Sequence, residues 1–553
     1  MADATEYERQ NEVIKTMMKE EMNLEAYPFQ INVIRSAVYR EPGVSPHIHV
    51  VARTGDGKSA ISMGVLIMKG GIGISVVPLL AIGTGQASNA ARTCRNVDSY
   101  HIDELNRDEK VSLLAKIVTL DSRNGRPIMI FVSPQSLDDP AMKSTIKRLV
   151  SSGTLSTVCI DEMHRVPLDA GRPGAFRPEF ARLKINLFDL LASSERPIAV
   201  IGMTATITAK LLAEFNSITG ITFDTTFWGD VGRRNITMRL VFAHQTVVPL
   251  KLLVSKHRAE AKKIILYSNH SNRMANLSKA VSKALGAGED ACTLHGETGS
   301  AMKFYAIEAF SAHEGNARFE HINAVVLIGT SAANCGIDSP SCGAVGREGP
   351  PAHIVDLEQE RGRIRACDTT YNYEYLICMS VPAWCKLLLR ISESGDAEER
   401  RRQQNDLMEV LKLLVLPSSC IHVALERAFG CPGSIDAAPC VNKCWYCDPN
   451  LGLGRDAKVV RAEIERVLRS NFLRGSTTSD AVVCALHAGR VAIWGDSKTT
   501  KNHAARLTLQ LIAAGIIQFS VDRPSGTAIL NWGIGALDLA YTEAERWASI
   551  ATQ

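Results

Sequence analysis

Two short runs of polar residues have the types and order that phosphate chemistry requires. The first is Ala52-Arg53-Thr54-Gly55-Asp56-Gly57-Lys58-Ser59, placed between an apolar strand-like run and a helical pattern. Glycines at Gly55 and Gly57 let backbone N–H groups turn inward around phosphate oxygens, and the following helix N-terminus adds a favourable dipole. In this P-loop pattern Thr54, Gly55, Asp56 and Gly57 cradle the phosphates of ATP. Lys58 reaches the β- and γ-phosphates, and the Ser59 hydroxyl ligates Mg²⁺. Ala52 stands where the first glycine of the pattern usually stands. The second run is Asp161-Glu162-Met163-His164, directly after the apolar Val158-Cys159-Ile160. A carboxylate at the C-terminal end of a strand can face the P-loop, so Asp161 holds Mg²⁺ through water and Glu162 polarises an attacking water. Acidic strand ends are common alone; in one sheet with a P-loop they point to nucleoside triphosphate hydrolysis.

A third cluster is sulfur-rich. Cys420 is followed, after the helical stretch His422–Gly430, by Cys440, Cys444 and Cys447. Four thiolates at this spacing can surround Zn²⁺ tetrahedrally and leave no open position, which makes a structural site. Cys431 is an alternative ligand. Bound metal would be the folding energy of a segment, 431–450, that holds few large apolar residues.

The elements that must position these groups are legible as apolar runs. Ile48–Ala52, Ile72–Val77, Ile128–Val132, Val158–Ile160 and Ala199–Ile201 alternate with longer mixed segments. A second series follows with Ile264–Tyr267, Ala291–Leu294, Ala324–Ile328 and Tyr375–Cys378. Continuous apolar strands separated by helical stretches read as parallel sheets covered on both faces. The fold class is therefore α/β, with two tandem parallel-sheet lobes, residues 1–235 and 236–394, joined by a link near Val231–Gln245. A charged helical connector with a solvated face, Asp396–Asp406, leads into the cysteine module, residues 395–455. Residues 456–553 read as helices closed by a hairpin, Ile516–Val521 and Thr527–Trp532 across the turn Asp522–Gly526, a winged-helix-like unit.

Composition narrows the classes. The 553 residues are 46% hydrophobic and 22% charged, ordinary globular usage that argues against a fibrous or largely disordered chain. A net charge of +4, from 62 basic and 58 acidic residues, is too small to announce a nucleic-acid binder, so any basic groove is local. The polar, acidic start Met1–Gln10 lacks a secretory pattern. The uncharged run Gly70–Ala91 is broken by Pro78 and reads as a strand and loop, with no membrane span. Fourteen mostly scattered cysteines fit a reduced, intracellular compartment and not a disulfide scaffold.

Further motifs resemble those of superfamily-2 helicases, and of the RecQ family within them. Gln30 after Pro28 is similar to the family's adenine-reading Gln. Pro78-Leu79 and Gln86 resemble motif Ia, and Phe131-Val132-Ser133-Pro134 the next motif. Phe176-Arg177-Pro178-Glu179-Phe180 resembles the end of the RecQ aromatic-rich loop, and Gly202-Met203-Thr204-Ala205-Thr206 resembles motif III. Arg233-Arg234-Asn235-Ile236 is similar to the Arg-Pro-Asn-Leu junction between the lobes. Thr330 through Pro340, with Asp338, aligns to motif V, and Gln359-Glu360-Arg361-Gly362-Arg363 resembles motif VI.

The resemblance covers roughly Leu24 to Cys447. It implies two RecA-like lobes, ATP bound between them with Gln30 and Asp338 among its contacts, and Gln359, Arg363 and Arg365 acting in catalysis with Lys58, Asp161 and Glu162. It also implies an ATP-dependent 3′–5′ DNA helicase acting on single-stranded and branched or duplex DNA, with Thr84, Ser133, Arg177 and Asn269 on the strand. Arg506 and Thr499–His503 are placed where a winged helix would meet duplex DNA. A nuclear home and a fungal telomere-linked member of the family fit the same resemblance.

Three departures stand out. The loop after His164 is longer than the family's and lacks its Trp. Arg365 arrives one position early in motif VI, with Ala366 in the usual place of the arginine. The motif around Gln30 lacks its leading Phe-Arg. A DExH RNA helicase or RNA-stimulated ATPase, and a decayed copy that binds DNA without unwinding it, are the two other readings.

Overall fold

Apolar β-rich runs flanked by helices bury both sheet faces, and the computed structural model has two such parallel sheets. It describes residues 4–40, 44–53, 55–78, 94–119, 125–170, 178–195, 197–229, 231–243, 246–285, 290–295, 298–311, 324–330, 341–366, 370–393, 396–434, 437–441, 443–448, 479–488, 501–522 and 527–532, with residues 87, 337, 339, 451, 464, 466–468 and 493. The chain divides into two units. One is Met1–Val231 with Ala428–Pro432; the other is Gly232–Arg427 with Gly433–Gln553.

The first sheet contains β1 (His47–Val51), β2 (Ile72–Val76), β3 (Asp98–His101), β4 (Ile128–Val132), β5 (Leu155–Ile160), β6 (Ala199–Thr204) and β7 (Thr225–Trp228). Its order is β3-β4-β2-β5-β6-β1-β7 and every pairing is parallel. The C-terminal ends of β1, β5 and β6 therefore lie side by side, which gathers the loops carrying the P-loop, Asp161 and Thr204 along one edge. Beneath them Val50, Ile61, Leu66, Cys159, Ile201 and the helix residues Ile14 and Ile34 form one core.

The second sheet contains β8 (Thr237–Phe242), β9 (Lys263–Ser268), β10 (Asp290–Leu294), β11 (Ala324–Gly329), β12 (Cys342–Glu348) and β13 (Glu374–Met379). Its order is β10-β11-β9-β12-β13-β8, again all parallel. Leu250, Leu266, Leu277, Val326 and Leu376 centre its core. β14 (Ile517–Asp522) and β15 (Thr527–Trp532) form an antiparallel hairpin after the helices Ser479–Ala488 and Lys501–Ala513. Among the described residues no helix is long and apolar enough to cross a membrane.

Two expectations need correction. The segment Val231–Gln245 is more than a link, because Thr237–Phe242 is the edge strand β8. The connector Asp396–Asp406 is the start of the helix Ala397–Val415, which buries Glu399, Asp406, Leu407, Val410 and Leu411. A salt-bridged inner face hides behind its charge run: Arg402 pairs with Glu399 at 2.9 Å and lies 3.6 Å from Asp406.

Candidate nucleotide site and four-cysteine cluster

The P-loop leaves β1 and enters the helix Lys58–Lys69 through Gly55 and Gly57, at φ of 95° and 75°. Those left-handed angles suit glycine. Gly57 is needed for space as well, since a Cβ there would lie 2.5 Å from the Gln30 amide nitrogen. Lys58 is buried, and its ammonium donates to the carbonyls of Ala52 (2.9 Å) and Arg53 (3.2 Å). Ser59 is exposed one residue into the helix. Ala52, the departure from the glycine pattern, has its compensation opposite. A Cβ on Gly229 would stand 2.9 Å from that of Ala52, so the glycine there makes room for the alanine methyl.

Gln30 lies on the helix Pro28–Val38 and is buried. Its Nε2 donates to the carbonyls of Gly57 (3.0 Å) and Asp56 (3.2 Å), and its Oε1 accepts from the Tyr27 amide (2.8 Å). Both ends of this side chain are engaged, so Gln30 here braces the phosphate loop.

Asp161 directly follows β5 and accepts from the amide of Glu162 at 2.9 Å. Glu162 is one of few non-glycine residues at positive φ, 47°. That backbone turn aims adjacent carboxylates differently at a cost of order 1–2 kcal/mol. The Glu162 carboxylate lies 3.3 Å from Nδ1 of His164. His164 Nδ1 is also 2.8 Å from the Thr204 hydroxyl. Because Thr204 gives its proton to the carbonyl of Thr206 (3.0 Å), it accepts from His164, which fixes the Nδ1–H tautomer. Ala52 N in turn donates to Thr204 O at 3.0 Å. P-loop, acidic pair and the Thr204 turn thus form one hydrogen-bonded set. Thr54 lies outside the described residues, as do Thr84, Gln86, Arg177 and much of the loop after His164.

In the second unit, Gln359 is on the helix Ile354–Arg361, with Arg363 just beyond it, and both are buried. Arg363 donates to the carbonyl of Ile337 (2.8 Å) and to Gln359 Oε1 (3.3 Å). Arg365 is partly exposed, and Asp338 lies outside the described residues. Glu360 is fully buried against Arg347 and the Tyr375 hydroxyl; burial pushes its carboxyl up to about 7 against the pull of the Arg347 charge.

Two expected strand contacts are engaged elsewhere. Ser133 is buried, and its hydroxyl and amide both donate to Asp103, at 2.7 and 2.8 Å. Asn269 donates to Pro350 O (2.7 Å) and accepts from Arg347. Each is a loop brace whose polar atoms face the protein.

Residues that motif matching undervalued carry much of this unit. Arg233 lies 3.3 Å from Glu358 and reaches Ile364 O, Asn235 donates to Ala366 O (3.0 Å), and Arg234 pairs with Glu426. The junction segment therefore braces the end of motif VI. Only pairing of its arginines with later carboxylates could have revealed this, and spacing does not show such pairs.

The four cysteines Cys420, Cys440, Cys444 and Cys447 converge, with their sulfurs all within 4.8 Å of one another. Cys440 and Cys444 sulfurs are 3.5 Å apart and Cys420 and Cys444 3.9 Å. Sulfurs at the corners of a zinc tetrahedron with bonds of about 2.3 Å stand about 3.8 Å apart, so the donor set fits this ion. Cys431 is not in the group. Between Cys420 and this loop lies His422, fully buried and pushed down to about 4 by burial and by the Arg361 charge. Its neutral ring accepts from Arg361 at Nδ1 (2.9 Å) and donates from Nε2 to Lys443 O (3.2 Å).

Comparison with known proteins decides the class. Residues 8–215 match the DEAD/DEAH box helicase model and residues 246–366 the helicase conserved C-terminal domain. The chain belongs to helicase superfamily 2. Within it, this helicase is 22% identical over 450 residues to a protein of Caenorhabditis elegans named ATP-dependent DNA helicase Q1, and 21% identical over 445 residues to its Caenorhabditis briggsae namesake. The alignments cover 79% and 78% of this chain and 64% of each relative, so the match spans under two thirds of their length. These names agree with the RecQ-like motifs. Among solved structures, the DEAD-box helicase Mss116 bound to ssRNA and UDP-BeF aligns with a TM-score of 0.52 at 14% identity, over 76% of this chain and 84% of that one. The DUF1998 helicase MrfA bound to DNA and AMPPNP aligns at 0.50 and 15%, over 78% and 58%. Both show the same fold of two RecA-like lobes.

Proposed function

We propose that this helicase hydrolyses ATP to translocate 3′ to 5′ on single-stranded DNA and unwind duplex or branched DNA, in recombination, repair or telomere maintenance. The observation that carries the reading is the joined set of Lys58, Asp161, Glu162, His164 and Thr204, which places a phosphate-binding cation, two carboxylates and a polar turn in one hydrogen-bonded unit. Lys58 and the first amides of its helix hold the phosphates, and Glu162 takes the proton of the attacking water. Ser59 and Asp161 would hold Mg²⁺, which supplies charge neutralisation at the phosphates. The four thiolates would hold Zn²⁺, which supplies folding energy to the cysteine module. DNA as substrate is supported by the names of the two nematode relatives, and a nuclear site of action is part of the same proposal.

The test is ATP hydrolysis with single-stranded DNA, duplex DNA or RNA added, followed by unwinding of duplexes with 3′ or 5′ tails. Stimulation by DNA and unwinding from a 3′ tail alone are expected. Stimulation by RNA alone would favour an RNA helicase, and DNA binding without turnover would favour a decayed module.

A further inference from the structure

The helix Ile354–Arg361, which presents Gln359 and leads into Arg363, is gripped at both ends by elements that follow the second sheet. At its start His353 accepts from Val355 N (3.0 Å) and lies 4.0 Å from Asp406, on the helix Ala397–Val415. At its end Arg361, almost fully buried, pairs with Glu358 (2.6 Å) and donates to His422 (2.9 Å). His422 is two residues from Cys420, and its other nitrogen holds the carbonyl of Lys443, the neighbour of Cys444. The same carbonyl accepts from Met238 N of β8 at 2.8 Å. A single imidazole thus joins two of the four cysteine positions to the guanidinium that closes the motif VI helix.

We infer that Arg361 and His422 are positioning residues, through whose contact the state of the four-cysteine cluster sets the order of the helix Ile354–Arg361 and thereby the placement of Gln359 and Arg363. The physical ground is that a buried guanidinium needs its acceptors. Arg361 has a carboxylate on its own helix, the weakly accepting Met238 sulfur of β8 at 3.6 Å and an imidazole on the cysteine module. If the module loosens, His422 moves with Cys420 and Lys443, and Arg361 keeps only Glu358 and the weak sulfur acceptor of Met238. The helix end that this guanidinium anchored is then freer to fray. Arg363 follows Arg361 by two residues, so such fraying reaches it directly.

The experiment uses the full chain and two readouts. One is hydrogen–deuterium exchange of amides 355–363; the other is kcat and KM for ATP, which rests on the ATPase reading above, whereas the exchange does not. His422→Leu removes the acceptor, His422→Asn keeps one for Arg361, and Arg361→Met leaves the cysteine segment untouched. With zinc content at wild-type level, His422→Leu and Arg361→Met should each speed exchange of these amides at least about threefold and lower kcat about tenfold with little change in KM. His422→Asn should stay within about twofold of wild type. Chelating the metal from wild-type protein should reproduce the faster exchange and add little in Arg361→Met. Wild-type exchange in Arg361→Met overturns the inference, whatever becomes of the histidine variants. Equal acceleration in His422→Asn and His422→Leu also overturns it, by assigning the effect to ring packing. An inactive wild type would overturn the ATPase reading and leave the exchange results to decide this one.

Discussion

His164 donates to the hydroxyl of Thr204 across 2.8 Å, and this one bond joins the acidic turn after β5 to the polar turn after β6. Thr204 also accepts from Thr206 N, and its carbonyl receives the amide of Ala52 at the mouth of the P-loop. A change at the phosphates therefore has a short route to the segment Thr204–Thr206. Thr204→Val keeps the shape and removes the acceptor. It should lower DNA-stimulated hydrolysis about tenfold while ATP affinity changes less than about threefold, because the buried hydroxyl is engaged within the protein, by His164 and Thr206. Steady-state kinetics with and without single-stranded DNA checks this; equal loss under both conditions would speak against a coupling role.

Lys58→Ala should abolish hydrolysis, a loss of at least about a hundredfold, and leave the fold intact. Its ammonium bonds the backbone carbonyls of Ala52 and Arg53 in the loop itself, at the edge of the sheet where the phosphates would sit. Hydrolysis and thermal melting should be measured on one sample. Appreciable turnover in a well-folded variant would sink the phosphate-site assignment.

Arg363→Ala should cost more turnover than Arg365→Ala. Arg363 is buried and holds both Ile337 O and Gln359, so its loss disorders the site in addition to removing charge. Arg365 is the less buried of the two, and its truncation tests whether the early arginine still serves the phosphoryl group. An unchanged rate and nucleotide affinity in Arg365→Ala would show that the displaced residue is idle.

Purified protein should carry one zinc per chain, and Cys444→Ser should lower the melting temperature and DNA binding more than ATP affinity. Cys444 is fully buried among the four sulfurs, so a serine there cannot keep the tetrahedron closed. Elemental analysis below about half a zinc per chain would count against the four-thiolate site.

A pH test comes from the second sheet. Burial alone would raise the carboxyl of Glu374, but hydrogen bonds from His257 and Lys256 and the charge of Arg239 bring it down to about 2. A carboxylate lowered from 4.5 in this way stabilises the fold above pH 4.5 and loses that contribution as pH falls toward 2. Glu374→Gln should therefore cost roughly 3 kcal/mol at pH 7, with the deficit shrinking below pH 4.5. Denaturant melts of both proteins at pH 7 and pH 4 measure it; a deficit that does not shrink would exclude charge as the cause.

The strands that could be read in advance were those with continuous apolar runs rich in Ile and Val, such as Ile128–Val132 and Ala324–Ile328. The strands that escaped notice have physical reasons. β3 and β7 are edge strands of four residues, half exposed, with polar residues at Asp98, Ser99, Thr225 and Thr226. β12 is wholly buried yet spelled Cys-Gly-Ala-Val-Gly-Arg-Glu, where glycines erase the β-propensity signal. Gly346 is there because a Cβ would meet Leu250, Leu266 and Leu253 within 2.9 Å, a constraint visible only after folding. In the site, the position of Lys58 after the glycine loop and the convergence of the four cysteines were readable from spacing. The partners of Gln30, Ser133 and Asn269 were not, because amides and hydroxyls serve loops and ligands equally well and only the fold shows what they hold.

The strand β8 has a bearing on the order in which the chain acquires structure. It emerges early from a ribosome, yet its sheet partner β13 is made more than a hundred residues later, and Met238 N waits for the carbonyl of Lys443. Until that loop is synthesised, the second sheet has an unsealed border, with backbone donors open to pairing with any neighbouring chain. The cysteine loop is thus a closing clasp as well as a metal-binding candidate. Fragments that stop at the end of the second sheet should be prone to aggregate during expression, while those that run past Cys447 should not.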